Sequence, residues 1–185
     1  MKLVRSVAFV AVAAIAPVAF AGSVADAITS LKDAITARKT ATPAPDEKQL
    51  KALDKCLKTM EKDQTELGDA IKVEGKVAKT LEKAFATDFG GAAGQDDFSD
   101  YVGDVVGQIT DALNSLKSTQ QSAIDAQGFD AKAKEKAQKS IDKATAALAA
   151  ASEATTSSLK LKALAKANKA LVKAQKIIDA ATPSS

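Results

Sequence analysis

Histidine is absent from this 185-residue chain. With it go the commonest general base near neutral pH and the commonest zinc ligand. A single cysteine, Cys56, excludes an internal disulfide and a Cys-x-x-Cys-His haem attachment. It is a free, partly buried thiol or an intermolecular link. The first is preferred, because lone cysteines commonly act as small buried hydrophobes. Beyond residue 21 there is one arginine, Arg38, and no aromatic residue is interleaved with the lysines, which argues against nucleic acid. No glycine-rich phosphate loop or nucleophile elbow is present, and Asp88-Phe89-Gly90 stands without any other kinase element. The chain therefore reads as no enzyme, with no catalytic or cofactor-binding residue to name and no resident metal or cofactor.

Aromatics make up 4% of the chain and prolines number four. Long apolar runs are missing except at the start. Met1-Lys2-Leu3-Val4-Arg5 is a short basic segment, 7–20 is uncharged and apolar, and Ala19-Phe20-Ala21 fits a small-x-small cleavage site. This reads as a cleavable signal peptide over 1–21. The run is short for a membrane span, which takes about 20 residues. Cleavage before Gly22 sends the chain to the periplasm or the medium. Removing 21 residues from 185 leaves 164, one ordinary domain spanning 22–185. Its 24 bases against 23 acids give a net charge of +1, which by itself selects no partner.

What remains is rich in alanine, lysine and leucine, all good helix formers, with no sustained strand alternation. Over 22–45, Val24, Ile28, Leu31 and Ile35 make one helical face before a proline-containing linker. Over 46–86, Leu50, Leu53, Leu57, Met60, Gln64, Leu67, Ile71, Glu74, Ala78, Leu81 and Phe85 step alternately by three and four. That is a heptad seam with two polar interruptions, and it predicts one long helix of about 60 Å. Gly68 and Gly75 are its expected weak points, each costing roughly 1 kcal/mol against alanine. A third helix is expected over 97–128, faced by Phe98, Val102, Val105, Ile109, Leu113 and Leu116, with Gly103 and Gly107 allowing close helix approach. The basic segment 130–181 reads as two helices or one bent rod, with a Ser/Thr-rich break at 152–158. Its two halves repeat at an offset of thirty: Lys132, Lys136, Ile141 and Ala144 recur as Lys162, Lys166, Leu171 and Ala174. Duplication and convergence of two Ala/Lys helices explain this equally well.

Charge is segregated along the chain. Residues 86–130 carry one lysine against eight aspartates, net −7, and residues 131–185 carry eleven lysines against four acids, net +7. Pairing of the acidic helix with the basic ones is the ordinary expectation. Lys162, Lys166, Lys169, Lys173 and Lys176 form a narrow stripe opposite Leu164, Leu171 and Ile178. Such a stripe is more often the solvated face of a bundle helix, and otherwise an adhesive face for an anionic membrane or polymer. Asp97, Asp100, Asp104 and Asp111 share a face without the spacing of a calcium loop, and the first two suit a helix N-terminus. Phe85, Phe89, Phe98 and Tyr101 cluster in sequence and are expected to plug one end of the core.

The expected fold is all-α: an elongated antiparallel helical bundle with coiled-coil-like packing and about five helices. The long second helix would be its spine, and the short first helix would dock peripherally. The expected function is a non-enzymatic interaction or structural protein of the periplasm, envelope or medium. It would act on an unknown protein partner or associate with itself through the heptad seam. The alternative is a peripheral binder of anionic membrane or envelope polymer through the lysine stripe. A further alternative is a carrier of apolar ligands.

Overall fold

Apolar residues spaced by three and four wind each segment into a helix with one buried face. The computed structural model describes residues 23–86, 98–126 and 129–181. Among these residues the secondary structure is all-helical, in six α-helices packed against one another. They are α1 (Ser23–Arg38), α2 (Glu47–Met60), α3 (Leu67–Ala84), α4 (Phe98–Asp125), α5 (Ala131–Glu153) and α6 (Ser157–Ala181). Residues 1–21, expected to form a signal peptide, lie outside the described residues.

The expected long helix over 46–86 is two helices. Residues 61–66, Glu-Lys-Asp-Gln-Thr-Glu, carry no apolar side chain to hold a turn against the core. Asp63 Oδ1 accepts from the Thr65 amide at 2.9 Å, a local bond that competes with helix continuation. Gly68 and Gly75, the anticipated weak points, both lie inside α3. A Cβ on Gly75 would stand 3.7 Å from Leu161 Cβ, so this glycine sits against α6 with ordinary van der Waals room.

α2 and α3 fold back on each other. A capping box opens α2: Asp46 accepts from Gln49 N at 2.7 Å, and Gln49 Oε1 accepts from Asp46 N at 3.0 Å. Gln49 Nε2 reaches the Ala84 carbonyl at 3.5 Å, and Cys56 Sγ lies 3.9 Å from the Val77 carbonyl. The hairpin is therefore antiparallel, with 49 beside 84 and 56 beside 77. Of its seam, Leu53, Met60, Ile71, Ala78, Leu81 and Phe85 are buried within this chain, and Leu50, Leu57 and Leu67 are half-buried.

The centre of the bundle is α6. It packs on α3, α4 and α5, and its Leu161, Leu164, Ala167, Leu171, Ala174 and Ile178 are buried. The spine is thus the last described helix: α3 and α4 also have three or more neighbours, but α6 makes the most extensive packing, chiefly with α5 and then with α3 and α4. α1 is likewise integral: it packs on α2 and α4 with Val24, Leu31 and Ile35 buried. α5 and α6 are separate helices, since Ala154 turns extended between them. Glu82 of α3 accepts from Ser158 N and Oγ, fixing the start of α6 against α3. Positions thirty apart share burial: Ala137 with Ala167, Ile141 with Leu171, and Ala144 with Ala174.

Gly103 and Gly107 do not mediate close packing. Both are exposed, and a Cβ on either would meet nothing within 4 Å.

Candidate functional site

The lysines of α6 follow from its burial pattern. With Leu164, Leu171 and Ile178 turned inward, Lys162, Lys166, Lys169, Lys173 and Lys176 are all exposed. None of the five forms an ion pair among the described residues. The neighbouring acidic helix does not neutralise them. Asp100, Asp104 and Asp111 of α4 are exposed, and Lys134 to Asp125 at 2.7 Å is the one pair joining α4 to a basic helix among the described residues. The Lys134 ammonium holds the Asp125 carboxyl below its ordinary range. Asp97 lies outside the described residues. No cluster of three metal-ligating side chains occurs among the described residues.

A second cationic feature escaped the sequence reading. Lys48, Lys51 and Lys55 of α2 face Lys76, Lys79 and Lys83 of α3 across a groove of about 620 Å³. Its remaining lining is small: Ala52, Thr59, Thr80 and Ala84. Both walls carry one pattern, Lys-x-x-Lys-(Ala/Thr)-x-x-Lys, which places each set of lysines on one side of its helix. The segment 22–85 as a whole is nearly neutral, with twelve bases against eleven acids, which hid this clustering. The repeated pattern twenty-eight residues apart was the available signal.

Beneath the hairpin lies a buried polar pair. Cys56 is 1% exposed and Glu74 is likewise 1% exposed. Neither carboxylate oxygen of Glu74 has a hydrogen-bond partner. Burial pushes its carboxyl up from 4.5 to about 7, with the Gln64 amide pulling weakly the other way. Burial and then the Glu74 charge push the Cys56 thiol up from 9.0 to about 12, against a small opposing effect of Lys55. A thiol in that environment is a poor nucleophile. Linking two chains through it would require α2 to lift from α3.

The aromatic end is filled. The rings of Phe85 and Phe98 meet edge to face at 5.1 Å, Arg38 stands 5.7 Å above Phe85, and both rings are buried. Tyr101 is half-buried beside them, and Phe89 lies outside the described residues. Among the described residues, the lysine-lined groove carries no aromatic side chain. No helix among the described residues is long and apolar enough to cross a membrane.

No known protein family, no curated protein and no solved structure matches this chain.

Proposed function

We propose that this chain is an exported, non-enzymatic interaction protein of the periplasm, envelope or medium, and that it adheres electrostatically to an anionic envelope surface through α6. In this reading the bundle is elongated and coiled-coil-like, and α6 displays its stripe along one side. The observation that carries the proposal is the absence of charge cancellation. Five lysines stand exposed on α6 while the acids of α4 stay exposed elsewhere, and a single α4–α5 ion pair joins the two charge blocks among the described residues. Charge sorted in this way and left uncompensated steers association with an oppositely charged partner. The lack of histidine and the high thiol pKa of Cys56 support a role without catalysis.

The test is co-sedimentation of the chain from Gly22 to Ser185, which contains every described helix, with anionic and neutral vesicles at low and high salt. Binding to anionic vesicles alone, lost at high salt and lost in Lys166→Glu/Lys173→Glu, is the expected result. Equal binding of wild type and this variant would sink the proposal.

A further inference from the structure

The α2–α3 groove is a separate cationic site from the α6 stripe, and its shape is different. A stripe along one helix meets a flat surface. Here two rows of lysines face each other across a trough, Lys48, Lys51 and Lys55 on one side and Lys76, Lys79 and Lys83 on the other. Each row spans eight residues, seven steps or about 10 Å of helix. The antiparallel register, with 49 beside 84 and 56 beside 77, sets Lys48 near Lys83 and Lys55 near Lys76 and Lys79.

Most of the acids that would dilute such a cluster are drawn away. α2 and α3 contain five: Glu47, Asp54, Asp69, Glu74 and Glu82. Asp54 pairs with Lys39 at 2.7 Å, outside the groove. Asp69 pairs with Lys72 at 2.8 Å, and Glu82 is turned to Ser158. Glu74 is buried in the core. Glu47 and the N-cap Asp46 stand at the mouth beside Lys48 and Lys51, and Glu47 holds Lys51 at 2.5 Å. Six like charges on facing helix walls repel one another, so the free hairpin carries an electrostatic cost that an anion would relieve.

We propose that the α2–α3 groove binds one strand of a linear, phosphate-bearing polyanion lengthwise. Opposed rows of cations at the rims and a floor of Ala52, Thr59, Thr80 and Ala84 accept a narrow chain of successive charges. Ammonium groups are compact point charges that bind successive phosphates without the planar fork that arginine presents to carboxylate and phosphate alike. No bulky apolar side chain lines the groove to enter a bilayer, and no aromatic lines it to stack a nucleobase. The occupant is therefore a polymer that carries phosphates without bases and is not a membrane face.

The probe is long-chain inorganic polyphosphate, titrated against the Gly22–Ser185 chain by fluorescence anisotropy over a series of salt concentrations. Six neutralised contacts give a slope of log affinity against log salt of about −4. Lys55→Gln/Lys79→Gln, one lysine from each wall, reduces that slope by roughly 1.4 and the low-salt affinity by about ten-fold or more. Both side chains are exposed, and circular dichroism checks that the fold is kept. The α6 variant Lys166→Gln/Lys173→Gln leaves polyphosphate affinity within about two-fold while losing vesicle binding. Three results overturn the proposal. One is equal loss from the groove and stripe variants, which means binding by overall charge. Another is an unchanged groove variant. The third is binding to anionic vesicles, or to a single-stranded oligonucleotide, as tight as to polyphosphate and equally dependent on the groove. Failure here leaves the α6 proposal standing, because vesicle binding is read separately.

Discussion

Replacing Glu74 with glutamine should change how stability depends on pH more than it changes the fold. Glu74 is 1% exposed on α3, and neither of its carboxylate oxygens has a hydrogen-bond partner. Burial raises its carboxyl from 4.5 to about 7. A carboxyl raised in the folded state costs nothing below pH 4.5, where it is neutral whether the chain is folded or not. Between 4.5 and about 7 the unfolded chain releases the proton and the folded chain keeps it, so stability falls as pH rises. Above about 7 the cost is complete, at about 3 kcal/mol. Glu74→Gln keeps the size and removes the ionisation. Buried amide atoms without partners cost about 1–3 kcal/mol, and that offset is independent of pH. Urea or thermal unfolding of both proteins across this range should therefore give curves that diverge upward through pH 4.5 to 7. From low pH to the top of the range the wild type loses about 3 kcal/mol that the variant keeps, so their difference in Tm moves by roughly 6–12 °C in the variant's favour. Parallel curves would falsify the burial of an unpaired carboxyl at this position.

Three further outcomes are expected. Cys56, buried with its thiol pushed up to about 12, should react with a thiol reagent near neutral pH only as fast as α2 opens from α3, and at once in denaturant; rapid native labelling would show that this hairpin is loose. Gly107→Ala should raise stability by roughly 1 kcal/mol, because the new methyl meets nothing within 4 Å and alanine is the better helix former. Gly68→Ala should gain less, since its Cβ would fall 2.9 Å from Asn168 Nδ2 and that side chain must shift. Thermal melts of the two variants decide the order.

Helical class and most helix faces were legible because periodicity is a local property. Val24, Leu31, Ile35, Val102, Ile109, Leu113 and Leu171 are buried as their spacing implies. Two kinds of information were not local. The three-and-four spacing continued through 61–66 only by counting the polar Gln64, and the Asp63–Thr65 bond and the lack of apolar side chains there end α2. Pattern alone does not weigh such a bond against helix continuation. Which helix becomes central was equally hidden, because centrality depends on partners, and α6 looked like any lysine-striped outer helix. The groove was missed for a related reason. Counting charge along 22–85 gave near balance, whereas folding sends Asp54, Asp69 and Glu82 to other partners and gathers the six lysines. Of the two charged features, only the α6 stripe could be read from a single helix.

The central place of α6 has a consequence for how the chain comes into being. Five helices are synthesised before it, and three of them, α3, α4 and α5, have their apolar sides matched to it. Until residues 157–181 emerge, α3 and α4 leave much of their buried surface without a mate, and α5 lacks its hairpin partner. The order of synthesis thus postpones the closing of the core until the last described helix is made.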